Sequence, residues 1–377
     1  MIHCEHIHDP AALDELSTVW EKLYDNSGAE PSTSLEWTTA LRDTHLSLTD
    51  KFFITLVKDA DTPVAIVPFL IRQTTKVGIT LRTLMPISEL YNTHSDLLIN
   101  NYSPKLFEAI IESLHSPGEE WDFFRIGNML ENHPLLLSLS SGSHKNIRAH
   151  TARTEPSYYT PLEDTFEQYL SNRSGKFRNY LKRMKKKLGN KGKMSFLSYS
   201  DYPTLSDAYD DLLTIEKSSW KHTHGTAISN ISRQKHFYWL LSQGAAKRKR
   251  LHLVFLYLDQ KPIAYNIGMI SNNSYKYLKT SYDAAYRSSS PSTILRAHLI
   301  EKLINHGVRE FDFPGEPYEW EAQWAKELRW HQSIIIYNKT AKSRLFSLYN
   351  WIKNTVLKKN KVSAFNYHDP LTTRPEA

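Results

Sequence analysis

The chain has very little cysteine: Cys4 is its one thiol, so an internal disulfide framework is excluded. No apolar run approaches the ~18 residues that a membrane span requires. The first six residues, MIHCEH, lack the basic region and apolar stretch of a secretory signal. These absences together predict a cytoplasmic protein.

Acidic residues are missing from two segments of a chain whose net charge is +7. Arg173–Lys193 contains ten Lys and Arg residues, and Lys342–Lys361 contains six. The rest of the chain is therefore net acidic, which argues against a protein that coats nucleic acid. The pattern favours local contacts with phosphates, a membrane surface or an anionic substrate.

The length of 377 residues is typical of two domains, and 40% hydrophobic and 12% aromatic content is ample for packed cores. Residues 127–160 are rich in Ser, Gly, His and Pro and are predicted to link the domains. We expect an N-terminal domain over 1–155, a C-terminal domain over 156–340 and a basic helical tail over 341–377.

The first half has the patterns of a mixed α/β domain. Helical spacing of apolar residues predicts a helix over Asp9–Tyr24, and Ser34 is expected to cap another that runs to Leu41. Alternation and turn residues predict a strand pair within residues 52–71. A helix near residues 106–114 and a strand at 121–126 follow.

The second half contains the clearest pattern, a three-strand meander at 251–258, 262–270 and 274–283. Before it, helices are predicted at 166–188 and 205–220. After it come a polar loop, a helix over 293–306 ended by Gly307, a strand at 308–313, a short helix at 319–328 and a strand at 330–337.

The order of strands, loop and helices resembles the core of the GNAT acyltransferases. Local motifs resemble the cellulose-biosynthesis acetyltransferase-like family (CelD/BcsL type), which is related to the FemAB peptidyltransferases: Phe177–Arg183, Ile215–Lys221, Tyr282-Asp283, Ser290-Pro291 and Asp312–Tyr318. Three departures stand out. Ser292 replaces a usual glycine, Tyr318-Glu319 replaces an expected Tyr-Lys pair, and the standard Gln/Arg-x-x-Gly-x-Gly/Ala phosphate loop is absent.

The resemblance implies an α/β (α+β) fold of tandem GNAT-like domains, each a mixed, mainly antiparallel sheet flanked by helices, the first domain being degenerate. It implies a bacterial acyl-CoA-dependent N-acyltransferase of exopolysaccharide biosynthesis that acts on an amino sugar or cell-envelope precursor. No metal is expected, because His3, Cys4, His6 and His8 lie in a predicted strand that sends neighbouring side chains to opposite faces.

The polar loop before the 293–306 helix is predicted to bind the phosphates of coenzyme A, because exposed N–H groups at a helix start attract anions. Its candidate ligands are Arg287, Ser288, Ser289, Ser290, Ser292, Thr293 and Arg296. The alternative is that Ser-Pro-Ser only caps a helix.

Catalysis needs a proton acceptor for the amine and a donor for the thiolate. Glu316, on a loop, is the preferred base; Asp283 is a second candidate, and Tyr282 is the candidate acid. Asp283 as a turn-binding residue and Glu316 as a solvated carboxylate are the structural alternatives. Glu216, Trp220, Asp312 and Tyr318 are predicted to line the acceptor site.

The basic segment Arg173–Lys193 leaves the function open. It would suit aminoacyl-tRNA, as in FemAB-type relatives, although their long helical hairpin is absent; it would also suit coenzyme A, an acidic polysaccharide or a solvated helix face.

The basic tail is expected to pack on the body, with weak membrane contact. Besides the acyl-CoA enzyme, a FemAB-like aminoacyl-tRNA-dependent transferase and a non-catalytic partner of a polysaccharide assembly system are the alternatives.

Overall fold

The computed structural model describes residues 1–9, 11–76, 78–91, 93–115, 120–144, 147 and 149–355. Within the described residues the chain forms two compact units: the first contains Met1–Pro156 and residues 329–355, and the second contains Ser157–Leu328. No helix within the described ranges is long and apolar enough to cross a membrane. The last part of the predicted tail, residues 356–377, lies outside them.

The first 156 residues alternate strands and helices. In order, the elements are β1 (Ile2–Ile7), α1 (Ala12–Glu15), α2 (Ser17–Ser27), α3 (Leu35–His45), β2 (Lys51–Asp59), β3 (Thr62–Lys76), β4 (Ile79–Pro86), β5 (Leu98–Ile99), α4 (Pro104–Ser113), β6 (Phe123–Leu130), α5 (Pro134–Ser140) and β7 (Ala149–Arg153). As predicted, Ser34 caps α3, since its hydroxyl accepts the N–H of Trp37.

The boundary between the two units falls inside the domain linker predicted over 127–160, after Pro156, but most of that stretch is regular structure. This stretch contains the end of β6, all of α5 and β7, and a further strand. Leu135 and Leu136 are buried and fix α5 to the core of the first unit. The prediction relied on the high content of serine and histidine in this stretch and overlooked its few buried leucines.

The remaining elements are β8 (Ser157–Pro161), α6 (Phe166–Ser171), α7 (Gly175–Gly189), β9 (Met194–Ser198), α8 (Leu205–Lys217), α9 (Trp220–Thr223), α10 (Ser232–Lys247), β10 (Leu251–Leu258), β11 (Lys261–Ser271), β12 (Ser274–Tyr282), α11 (Pro291–Asn305), β13 (Glu310–Phe313), β14 (Glu327–Arg329), β15 (His331–Tyr337) and α12 (Ala341–Thr355). The meander is present as predicted.

Two helix predictions need correction. The helix expected over 166–188 is two helices, because Ser174 starts α7 anew and Arg178 donates to the carbonyls of Ser171 and Arg173. The helix expected over 319–328 is a short 3-10 turn, Glu321–Gln323, followed by β14.

The two sheets have related strand orders. In the first unit β1 to β4 are antiparallel neighbours, β4 pairs in parallel with β6, and β6 pairs with β15. In the second, β9 to β12 are antiparallel neighbours, β12 pairs in parallel with β13, and β13 pairs with β8. The predicted α/β class with two mainly antiparallel, helix-flanked sheets is confirmed.

The strand β15 corrects the predicted domain limits. We expected residues up to 340 to belong to the C-terminal domain, but β15 lies between β6 and β7 in the first sheet. Its buried residues Ile334 and Ile336 belong to the core of the first unit. The second unit therefore ends at Leu328.

Both faces of each sheet carry helices, because successive strand residues point to opposite sides. In β10, Val254, Leu256 and Leu258 pack in the core that contains α7 and α11. The other face of the same sheet contacts α8 and α10. The candidate site lies in the second unit, where β12 ends and α11 begins.

Candidate active site

The parallel strands β12 and β13 pair over a short distance only. The pairing ends at Lys276 and Asp312, whose Nζ and Oδ2 atoms form a buried ion pair of 2.6 Å. β12 continues to Tyr282 without a further strand partner on that side among the described residues. No strand covers this edge, although the Thr280 carbonyl on it accepts Lys221 Nζ at 2.6 Å.

Asp312 was predicted to bind substrate. The ion pair with Lys276 instead joins the two strands at the point where they separate. Asp312 is fully buried, so its observed role is structural.

The turn after β12 is organised by Asp283. One of its carboxylate oxygens accepts the N–H of Ala285 at 3.0 Å, and the other accepts Lys261 Nζ at 2.6 Å. The hydrogen bond that Lys261 donates to Asp283 raises the pKa of the Lys261 ammonium. These contacts match the alternative in which Asp283 binds the turn. The catalytic role of Asp283 stays a prediction.

The start of α11 is an unusual helix N-terminus. Ser290 has left-handed backbone angles, with φ at 48°, and Pro291 occupies the first helical position. Ser290 does not cap the helix with its side chain. The hydroxyls of Ser289 and Ser292 are buried without a hydrogen-bond partner within the described ranges. Buried hydroxyls of this kind require a water or a ligand group, so this region suits a phosphate.

The basic helix α7 lies against this loop. Lys187 Nζ donates to the carbonyl of Ser288 at 2.8 Å, and the Tyr180 hydroxyl lies 2.5 Å from Ser290 Oγ. Arg183 stacks over the ring of Tyr180 at 5.6 Å. Tyr180, Arg183 and Lys187 follow an i, i+3, i+7 spacing and share one helix face.

Further cations surround the loop between Asp283 and Ser290. Lys191 and Lys261 each place Nζ 5.6 Å from the ring centre of Tyr286. The predicted ligands Arg287 and Ser288 are both exposed on the loop itself, and Thr293 is half-buried in the first turn of α11. The loop thus combines the hydroxyls of Ser289 and Ser292 with positive charge at a helix N-terminus, a set of groups that suits a diphosphate.

Arg296, predicted to contact phosphate, is buried away from the helix start. Its Nη2 donates to the Tyr277 hydroxyl at 3.2 Å, and its guanidinium lies 4.2 Å from the ring centre of Trp320. It also stacks near Trp324. These contacts place Arg296 inside the aromatic core of the unit. The structure therefore does not bring it together with residues 287–292, the serine loop.

The loop after β13 carries Glu316. Its side chain is exposed and has no hydrogen-bond or ion-pair partner within the described part of the chain. Gly315 before it has a φ of 108°, a conformation that favours glycine. Tyr318 stacks on Trp320 at 6.4 Å, while Tyr282, the predicted acid, is half-buried against the core.

Glu216 is not an acceptor-site residue. Its side chain is fully buried and accepts the Tyr265 hydroxyl and the Ile228 N–H, both at 2.6 Å. These bonds fix the segment after α9 to the sheet. The prediction that Glu216 binds substrate is therefore corrected, since the carboxylate has no path to a ligand.

Trp220 lies at the same end of β12 as Asp283. Lys221 beside it donates to the Thr280 carbonyl at 2.6 Å, and the Ser218 carbonyl accepts the Ala284 N–H at 3.0 Å. Trp220 itself is half-buried and contacts the His224 ring edge-on. Its position fits the predicted acceptor rim.

The sequence places His222 on this rim, and the structure adds that a distant asparagine orients its ring. His222 Nδ1 lies 2.5 Å from Asn230 Oδ1, and Asn230 Nδ2 donates to the His222 carbonyl at 3.1 Å. The first bond places the proton on Nδ1 and leaves Nε2 as an acceptor. The eight-residue separation gave no local signal of this pair.

The sequence model of the acetyltransferase (GNAT) domain matches residues 175–322. This segment contains α7, the meander, the serine loop and the Glu316 loop. Most of the second unit is thus similar to a GNAT acetyltransferase domain, and the predicted acyltransferase class is confirmed.

Solved structures with the same fold cover nearly the whole chain. FemX aligns with a TM-score of 0.60 and 10% identity over 91% of this chain and 99% of FemX. A conserved protein of unknown function from Bacteroides thetaiotaomicron aligns with a TM-score of 0.55 and 12% identity, covering 90% and 100% of the two chains. The C-terminal domain of a putative lysylphosphatidylglycerol synthetase from Agrobacterium fabrum aligns with a TM-score of 0.55 and 12% identity. The alignment covers 91% of this chain and 97% of that domain. No curated protein matches the sequence.

Proposed function

We propose that the chain is an acyl-CoA-dependent N-acyltransferase whose donor phosphates bind between α7 and the start of α11. The supporting observation is the contact of Lys187 and Tyr180 with Ser288 and Ser290. It joins the cationic helix face to the helix N-terminus at the end of β12. GNAT domains typically use acyl-CoA, and the serine loop stands where the sequence lacks the usual glycine-rich phosphate loop.

Different residues are proposed to bind different parts of the acyl-CoA donor. Arg183, Lys187 and Lys191 supply positive charge, and Ser289 and Ser292 supply hydroxyl donors that have no other partner among the described residues. The edge of β12 beyond Lys276 has no strand partner among the described residues and is the proposed place for the extended arm of the donor. A donor held this way has its thioester near Tyr282 and the rim of Trp220.

The reaction transfers an acyl group from sulfur to nitrogen: the amine forms the C–N bond, the C–S bond breaks, and a proton moves from nitrogen to a base. Glu316 is the proposed base because its carboxylate is exposed and without a described partner. His222 Nε2 is a second base candidate on the opposite rim, oriented by Asn230. Tyr282 is the proposed acid for the thiolate.

We propose that the acceptor is an amine of an amino sugar or of a polysaccharide or cell-envelope precursor. The resemblance to the cellulose-biosynthesis acetyltransferase-like type supports this choice. The half-buried aromatic side chains of Trp220 and Tyr318 are compatible with a sugar, since aromatic rings supply apolar area with little loss of conformational entropy.

An aminoacyl-tRNA-dependent transfer is the second candidate. Lys182, Lys185 and Lys186 are exposed on α7 and do not contact the serine loop, and the fold is similar to that of FemX. Binding through these lysines would weaken steeply with salt, because phosphate contacts release counterions.

The test measures release of free thiol from acetyl-CoA and longer acyl-CoAs in the presence of glucosamine or a partly deacetylated amino-sugar polymer. Amine-dependent thiol release that Glu316→Gln abolishes supports the proposal. Transfer from aminoacyl-tRNA without any from acyl-CoA would establish the second candidate instead.

A further inference from the structure

Large exposed apolar side chains are concentrated on α12. Ten such side chains occur among the described residues, and half of them lie within one stretch of eight residues: Leu345 at 57%, Leu348 at 53%, Tyr349 at 40%, Trp351 at 60% and Ile352 at 41% exposure. Exposed apolar residues scattered singly are normal, whereas a contiguous group marks an interaction surface.

The opposite face of α12 is fixed to the first unit. Phe346 is buried and stacks on Phe123 at 5.1 Å, and Asn350 Nδ2 donates to the Tyr337 hydroxyl at 3.1 Å. Ser343 is buried on the same side. The helix therefore cannot bury its outer apolar face by turning about its axis.

The outer face has the layout of an interfacial helix. Leu345, Leu348 and Ile352 follow an i, i+3, i+7 spacing and form one apolar stripe. Trp351 and Tyr349 lie on its two sides, and aromatic rings of this kind favour the boundary between lipid and water.

Positive charge accompanies the stripe. Lys342 and Arg344 are exposed in the first turn of α12. From Lys342 to Lys361 the sequence has six Lys and Arg residues and no acid. An apolar stripe with cationic margins is complementary to an anionic lipid surface, which takes up the apolar side chains and neutralises the lysines.

We propose that α12 docks the protein on anionic membranes, with Leu345, Leu348, Trp351 and Ile352 inserted at the level of the lipid headgroups. A second copy of the chain fits less well. A two-fold contact through this face would bring the same basic residues of both copies together, and like charges repel. The docking does not depend on the acyltransferase proposal.

The experiment is co-sedimentation of the full chain with vesicles of phosphatidylcholine alone and of equal parts phosphatidylcholine and phosphatidylglycerol. We expect binding to the anionic vesicles and little to the neutral ones. Leu345→Gln, Leu348→Gln and Ile352→Gln combined should lower the partition coefficient roughly tenfold or more, and Lys342→Gln with Arg344→Gln should lower it severalfold.

Matched controls are Leu48→Gln with Leu137→Gln and Lys182→Gln with Lys185→Gln, which remove exposed apolar or basic side chains elsewhere. They should leave binding unchanged. In the unaltered chain, Trp351 emission should be quenched by brominated lipids, with Trp351→Phe as the reference for the other tryptophans. The quenching measurement on the unaltered chain does not depend on a substitution that could destabilise the fold.

Three results would overturn the proposal. The first is equal binding to neutral and anionic vesicles. The second is binding that the stripe variants retain, or no quenching of Trp351. The third is a monomer–dimer equilibrium that the stripe variants abolish with no vesicle binding, which would assign the face to a second copy.

Discussion

The Tyr180 hydroxyl lies 2.5 Å from Ser290 Oγ, although the two residues are 110 positions apart in the sequence. Lys187, two turns further along α7, donates to the Ser288 carbonyl of the same loop. A basic helix and a serine loop that are separate features of the sequence thus form one surface. It is the physical basis for the proposed donor site.

Removing the cations of this face should weaken donor binding selectively. For Arg183→Gln with Lys187→Gln we expect KM for acyl-CoA to rise roughly tenfold or more, because hydrogen bonds to charged groups contribute about 1.5–3 kcal/mol. The value of kcat should change little, since these residues bind the ground state and the transition state alike. Steady-state kinetics with the donor varied gives both constants.

The matched control for that variant is Lys182→Gln with Lys186→Gln, which removes two exposed lysines of α7 that do not contact the serine loop. Its KM should stay near the unaltered value. An equal rise in both variants would mean that the helix acts only through its general positive field.

Replacing the proposed base should reduce the chemical step. Glu316→Gln is expected to lower kcat by about 10²-fold or more, because a positioned general base contributes roughly that factor. Donor affinity should be retained. His222→Gln is the comparison: if it lowers kcat while Glu316→Gln does not, the imidazole oriented by Asn230 is the base.

Asp283 should matter more for stability than for catalysis. Asp283→Asn weakens the cap on Ala285 and the pair with Lys261, so we expect a loss of about 1 kcal/mol in unfolding free energy. Lys261→Gln should cost less, because its side chain is 53% exposed and exposed pairs contribute little. Urea denaturation measures both; a fall of kcat by orders of magnitude in Asp283→Asn, with folding intact, would restore the catalytic role.

His252 predicts acid sensitivity of the second unit. Burial, with Lys302 and His306 nearby, lowers the pKa of His252 to about 4. The unfolded chain then binds the proton first, so stability is full above the ordinary value of about 6.5 and falls until the pH reaches about 4. The loss from this group is at most roughly 3 kcal/mol. His252→Gln should show a shallower fall between pH values of about 7 and 4.5 in urea denaturation, and an identical fall would contradict the assignment.

The meander and α11 could be predicted from the sequence because their signals are local. Alternating residues, turn residues and Gly307 each act within a few positions of the chain. The partner of a strand is not encoded in that way. The pattern of residues 330–337 predicts a strand, but only the structure shows that β15 joins the first sheet.

The candidate site shows the same difference between local signals and long-range contacts. The serine loop and the basic run were recognisable as charged or anion-binding segments. The burial of Arg296 among Tyr277, Trp320 and Trp324, and that of Glu216 against Tyr265, depend on residues distant in sequence. Sequence patterns identify which residues carry charge, whereas packing decides which of them reach a ligand.

The central claim is that the surface between α7 and the start of α11 holds an acyl-CoA donor. Isothermal titration calorimetry of the full chain with coenzyme A, acetyl-CoA and a long-chain acyl-CoA tests it most directly. We expect saturable binding of at least one of them that weakens roughly tenfold in Arg183→Gln with Lys187→Gln and persists in Lys182→Gln with Lys186→Gln. Folded protein that binds none of the three would contradict the account.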